Sequence, residues 1–141
     1  MNASRSFKAL ALAGACGAGL ALALGAPQAQ AGPSDAWSQV DPADDHVQEL
    51  ARFAMDYFNQ RSNDSMQHRL IKVLDARTRV LAGIAYKIDL LEGETECGKN
   101  TTTKEESRRC PLKEGGTRRR CTAEVWERSW ENFTEVRSFD C

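Results

Sequence analysis

The sequence predicts an α+β fold, with one long α-helix packed on one face of an antiparallel β-sheet. Three observations predict it. A single segment, Val47 to Phe58, carries apolar residues at helical spacing. The apolar segments after it are strand-like, and no β-α-β alternation follows. Four cysteines spread through the C-terminal half, Cys97, Cys110, Cys121 and Cys141, read as two disulfides of a small extracellular domain.

The first residues are not expected to join that fold. Arg5 and Lys8 precede an apolar run from Ala9 to Ala26, and Ala29-Gln30-Ala31 supplies small residues for cleavage. That is the order of a secretory signal peptide, residues 1–31, ahead of one domain at 32–141. The run is rich in Ala and Gly and short for a spanning helix. A lipoprotein acceptor at Cys16, after Ala13-Gly14-Ala15, would leave a long apolar stub on the product. Cleavage after Ala31 leaves 110 of the 141 residues, enough for one small core. The leader takes away Arg5 and Lys8 and no acid, so the formal charge falls from −1 to −3. Nothing in that balance asks for nucleic acid, and no second apolar segment asks for a membrane.

Gly32 to Val40, rich in Gly, Pro and Ser, reads as a mobile N-terminal arm. Its Trp37 either staples onto the body or serves as a contact. Asp41-Pro42 is expected to open the helix as cap and first residue, with Asp44 and Asp45 in the first turn. Val47, Leu50, Ala51, Ala54 and Phe58 form one buried stripe, which Phe53 and Tyr57 widen. Gln48, Glu49, Arg52 and Asp56 lie off it. The helix ends near Gln60, before Ser62-Asn63-Asp64-Ser65.

His68 to Thr78 reads as a strand. Beyond Gly83 the alternation is clean: Ile84, Tyr86, Ile88 and Leu90 face the core, and Ala85, Lys87 and Asp89 face away. Gly93 to Arg120 is a long polar excursion pinned by Cys97 and Cys110. Arg118-Arg119-Arg120 is a basic cluster, either a solvated strand entry or a contact for an anionic surface. Thr122 to Glu127 is a strand, Arg128 to Asn132 turns the chain, and Phe133, Val136 and Phe139 mark the last strand.

Between the first two strands lies Arg79-Val80-Leu81-Ala82-Gly83. Hairpin tips ordinarily carry polar pairs that face water. Here the tip is apolar. Either Val80 to Leu91 is one unbroken buried strand, or an apolar knob stands in solvent. Trp130, in the last turn, is a second candidate of the same kind. The cysteines permit three pairings; neighbour pairing, Cys97–Cys110 and Cys121–Cys141, closes short loops and suits a β-rich half. A four-cysteine zinc site lacks the close pairs it needs.

These residues, taken in order, resemble a type 2 cystatin, a secreted inhibitor of papain-like cysteine peptidases. The resemblance runs from Trp37 to Cys141. It rests on Val47-Gln48-Glu49-Leu50-Ala51-Arg52-Phe53-Ala54, Ser62-Asn63-Asp64, Val80-Leu81-Ala82-Gly83-Ile84-Ala85-Tyr86, the four cysteines and Trp130. It implies a sheet wrapped around one helix and a monomer without cofactor or metal. It also implies three contact pieces at one end of the sheet: the arm around Ala36 and Trp37, the first hairpin Arg79-Val80-Leu81-Ala82-Gly83, and the second turn Ser129-Trp130. The partners implied are cathepsin-type peptidases. Four residues depart from the family pattern: Arg79 for Gln, Leu81 for Val, Ser129 for Pro, and Ala36 for the arm's Gly.

In some family members a Ser-Asn-Asp loop inhibits legumain, which cleaves after Asn. The resemblance places such a loop at Ser62-Asn63-Asp64; a simple helix-ending turn is the other reading. Asn63, Asn100 and Asn132 each begin an N-glycosylation sequon. Catalysis has little to rest on. His46 and His68 are the histidines, and oxidised cysteines offer no thiolate. The rival to inhibition is a secreted cystatin-like binding or signalling module that uses Arg118 to Arg120.

Overall fold

The computed structural model describes residues 36–141; the signal-peptide reading falls outside them. Five strands form one antiparallel sheet in sequence order: β1 (Ser38–Val40), β2 (Met66–Val80), β3 (Ile84–Gly98), β4 (Arg118–Arg128) and β5 (Phe133–Asp140). One long helix, α1 (Asp45–Arg61), covers one face, and a single turn, α2 (Lys104–Ser107), sits in the β3–β4 connection. The expected α+β fold stands, with both disulfides paired as neighbours, Cys97–Cys110 and Cys121–Cys141.

The helix begins one turn later than Asp41-Pro42 suggests. The Asp41 carboxylate accepts from the Ala43 N–H and its carbonyl from the Asp44 N–H, closing a turn instead of a cap. Asp44 is the cap: its carboxylate accepts from the His46 and Val47 N–H groups. Val47, Leu50, Ala51, Ala54 and Met55 are buried against Val73, Ala76, Tyr86, Ile88, Leu90, Ala123, Val125 and Val136 of the sheet. Each large apolar side chain so buried contributes about 1.5–3 kcal/mol. Phe58 packs at the edge of this core, whereas Phe53 is 38% exposed and does not widen the stripe. Asp56 is buried, because the Arg108 guanidinium reaches it at 2.7 Å across the connection.

Strands β2 and β3 are longer than their apolar signals. Register shifts at Met66/His68, Leu70/Lys72 and Val73/Asp75 bulge β2 and bend it around the helix. The polar stretch after Leu91 continues β3 to Gly98, since its inward positions are the fully buried polar residues Glu92 and Thr95. The polar excursion therefore shrinks to residues 99–117, where Thr103 and Glu106 form a capping box on α2. Ser38–Val40 is not loose arm: it pairs with Thr78–Ala76 as an edge strand.

Candidate functional site

Antiparallel pairing brings three segments to one end of the sheet. Strand β2 ends at Val80 and β3 starts at Ile84, so the tip between them lies at that end. Ile84 pairs with Glu127, which places the turn after β4 at the same end. Ser38 pairs with Thr78, which brings Trp37 there as well. Five large apolar residues are exposed among the described residues, and four are on this rim: Val80 (64%), Leu81 (37%), Ile84 (40%) and Trp130 (67%). Arg79 to Gly83 is thus a true tip and not the middle of an unbroken strand. Ile84 differs from its expected place in the buried row; as the first residue of β3 it lines an open pocket with Val47 and Tyr86 at the start of the helix and stays 40% exposed.

The tip is held by backbone geometry. Ala82 and Gly83 both have positive φ, 46° and 123°. The Leu81 N–H donates to the Gly83 carbonyl at 2.9 Å. A Cβ on Gly83 would collide with the Glu127 carbonyl, so glycine permits the tip to lie against β4. Trp126 on β4 donates its indole N–H to the Leu81 carbonyl at 2.9 Å. Sequence reasoning gave Trp126 no role beyond the strand. A Trp two residues from the turn was its only signal.

The second turn, Ser129–Glu131, is a single 3-10 turn closed by the Asn132 N–H donating to the Ser129 carbonyl. Asn132 is left-handed, with φ 52°, a conformation Asn tolerates better than most residues. Trp130 is 67% exposed and donates its indole N–H to Glu131 at 3.2 Å, while the strands flanking the turn carry a stack of cationic and aromatic side chains. The Arg128 guanidinium lies 4.5 Å from the Trp126 ring and 4.6 Å from the Phe133 ring, and Arg137 lies 5.1 Å from Trp126 on β5. Trp37 staples to the body, with Arg79 at 4.7 Å and Lys87 at 5.1 Å from its ring. Arg79 thereby props the arm, while Ala36 is exposed.

At the other end of β2 lies the loop Ser62-Asn63-Asp64. Asn63 is exposed, and the Asp64 N–H donates to the Ser62 hydroxyl at 3.0 Å. The Lys99 ammonium donates to the Ser62 carbonyl at 2.8 Å, and the Lys99 N–H to the Ser65 carbonyl. An extended strand of this length spans up to about 50 Å, so the loop and the apolar rim are separate surfaces. Asn100 and Asn132 are exposed like Asn63. The run Arg118 to Arg120 is split by strand alternation: Arg119 bonds Glu92 at 2.8 Å, and Arg120 reaches Asp89 at 3.4 Å. It does not present one unopposed basic patch.

Comparison with known proteins places the fold. A family model described as the cystatin domain matches residues 36–130. The chain is 36% identical over 105 residues to L-cystatin of Tachypleus tridentatus, covering 74% of this chain and 79% of that protein. It is 35% identical over 100 residues to onchocystatin of Onchocerca volvulus, covering 71% of this chain and 62% of that protein. Among solved structures, the crystal structure of Al-CPI is 36% identical with a TM-score of 0.65, covering 74% of this chain and 97% of that one.

Proposed function

The chain belongs to the cystatin family, and on that premise we propose that it is a secreted, reversible, tight-binding inhibitor of papain-like cysteine peptidases of the cathepsin type. The observation that carries this reading is the rim. Val80, Leu81, Ile84 and Trp130 stand in solvent at one end of the sheet, backed by an ordered base. Exposed apolar area of this kind is stabilised when a cleft removes it from water. The tip is shaped before docking, so little conformational freedom is lost on binding. The wedge fills a cleft without laying an extended peptide across it, and the inhibitor leaves uncut.

In this reading Val80, Leu81 and Trp130 enter the cleft. Ala82 and Gly83 set the turn, Ser129 starts the second turn, and Ala36 and Trp37 flank the wedge with Arg79 behind them. Ser129 in place of a proline leaves the second turn freer, and Ala36 limits the arm's conformations. Both departures shift target range and affinity. The mature product is the domain at 32–141, released after cleavage at Ala31 and acting as a monomer. The Ser62-Asn63-Asp64 loop is a second, separate site for legumain. A glycan on Asn63 would cover that site, and one on Asn132 would crowd Trp130.

Titration of active papain and a cathepsin panel with the refolded 32–141 chain tests the proposal. The expected result is stoichiometric, reversible loss of activity with the inhibitor recovered uncut. No loss at micromolar protein, or steady cleavage of the chain, would reject it.

A further inference from the structure

His68, the third residue of β2, is 2% exposed and held between two carboxylates. Its backbone is fixed first: the His68 N–H donates to Asn59 Oδ1 at 2.9 Å, and Asn59 Nδ2 donates to the His68 carbonyl at 2.8 Å. The ring then reaches in two directions. Nδ1 lies 2.5 Å from Glu92 Oε1 on β3, and Nε2 lies 2.8 Å from Asp64 Oδ2 in the loop. The second Glu92 oxygen accepts from Arg119 Nε on β4 at 2.8 Å. From α1 the Phe58 ring meets the imidazole edge-on at 5.4 Å. The cavity that His68 shares is lined by Asp56 and Arg108, paired with each other, and by Arg52 of α1 and Arg69 of β2.

Both ring nitrogens face carboxylate oxygens, and a carboxylate only accepts. The arrangement is complete when the ring carries both protons. A neutral imidazole has one N–H and must abandon one carboxylate. Glu92 is wholly buried and has no water to turn to, so it keeps the remaining proton. Asp64 is 44% exposed and is the partner water can take.

We propose that His68 is the positioning residue of the Ser62–Asp64 loop: as an imidazolium bridging Glu92 and Asp64 it holds Asn63 in its presented conformation, and it releases the loop as the pH rises. The clamp is a property of the fold. Its consequence for a peptidase that cleaves after Asn rests on the second-site reading above. The bond to Glu92 raises the His68 pKa, burial opposes it, and the bond to Asp64 adds to it, leaving the value above the ordinary one. The sign follows: the hold is full below the unfolded-state value near 6.5 and is lost as pH climbs through the raised one. Val80, Leu81, Ala82 and Gly83 carry no ionisable side chain; the charged groups nearest the rim are Arg79, the His46–Glu127 pair and Glu131 beside Trp130, and none of them touches the Ser62–Asp64 loop.

Two measurements on the 32–141 chain test this. The first follows the His68 ring nitrogens by NMR from pH 5 to 9, with amide-exchange protection of Asp64 and Lys99, whose N–H groups bond the Ser62 hydroxyl and the Ser65 carbonyl, corrected for intrinsic rates. Protection falling about tenfold or more in step with loss of the His68 proton is expected. Protection that stays level through that titration, or a ring already neutral at pH 5, would overturn the clamp. His68→Gln should leave the loop loose at every pH and remove its pH response. Should that variant fail to fold, the wild-type titration still decides. The second measurement compares inhibition of an Asn-cleaving peptidase with inhibition of papain across the same range. Weakening of the first alone, following His68, extends the clamp to function. If the Asn-cleaving enzyme is never inhibited while protection still follows His68, the second-site reading fails and the clamp stands.

Discussion

The two ends of the sheet break opposite rules. At the hairpin end, apolar side chains that would be expected inside stand in water: Val80, Leu81, Ile84 and Trp130. At the loop end, charged side chains that would be expected outside are buried: His68 and Glu92, neutralised by Asp64 and Arg119. Each exception has local support. Trp126 and Gly83 fix the first, and Asn59 and Arg119 fix the second. The contrast separates two kinds of design. An exposed apolar rim gains only when a partner covers it, whereas a buried ion network holds its own chain in place.

Four variants break or sharpen that contrast. The largest effect is expected at Glu92, where Ala would strip Arg119 of its carboxylate and leave buried His68 with Asp64 alone, at a cost of about 3 kcal/mol in urea unfolding. Papain inhibition per folded molecule should not change. A loss below about 1 kcal/mol would mean the network contributes little to the fold. Next, Leu81→Asp combined with Trp130→Ala should weaken papain inhibition by about a hundredfold or more, near 2.7 kcal/mol, with the melting temperature nearly unchanged. An unaltered inhibition constant counts against the wedge. Gly83→Ala should affect both properties, costing about 1–3 kcal/mol of stability because of its positive φ and the Glu127 carbonyl, and loosening the tip. Asp44→Ala should cost about 1 kcal/mol through the lost helix cap and leave inhibition alone. Thermal melts and inhibition assays on the same preparations separate the two.

The apolar half of the fold was legible and the polar half was not. The helix stripe, the alternation from Ile84 to Leu90 and the cysteine spacing led to the sheet, the helix and both disulfides. What escaped was burial of polar residues. Glu92 and Thr95 continue β3 where the apolar pattern stops, and Asp56 turns inward because of Arg108, a partner 52 residues away. Periodicity detects apolar faces and is blind to a charge whose partner is remote in sequence. The start of α1 was displaced for a local reason: Asp41 and Asp44 are equally good caps, and only turn geometry decides between them. At the rim, the tip and Trp130 were readable as apolar residues in turns. Trp126 was not, since its role depends on cross-strand register.

Hydroxyl-radical footprinting of the one-to-one complex with papain tests the central claim most directly, because the chain carries its own control. Phe53 on α1 is exposed to about the same degree as Leu81 but lies on the helix, away from the rim. Modification of Leu81 and Trp130 should fall severalfold on complex formation while Phe53 reacts as before. If Leu81 and Trp130 react unchanged in a complex that still inhibits, the apolar rim is not what occupies the cleft.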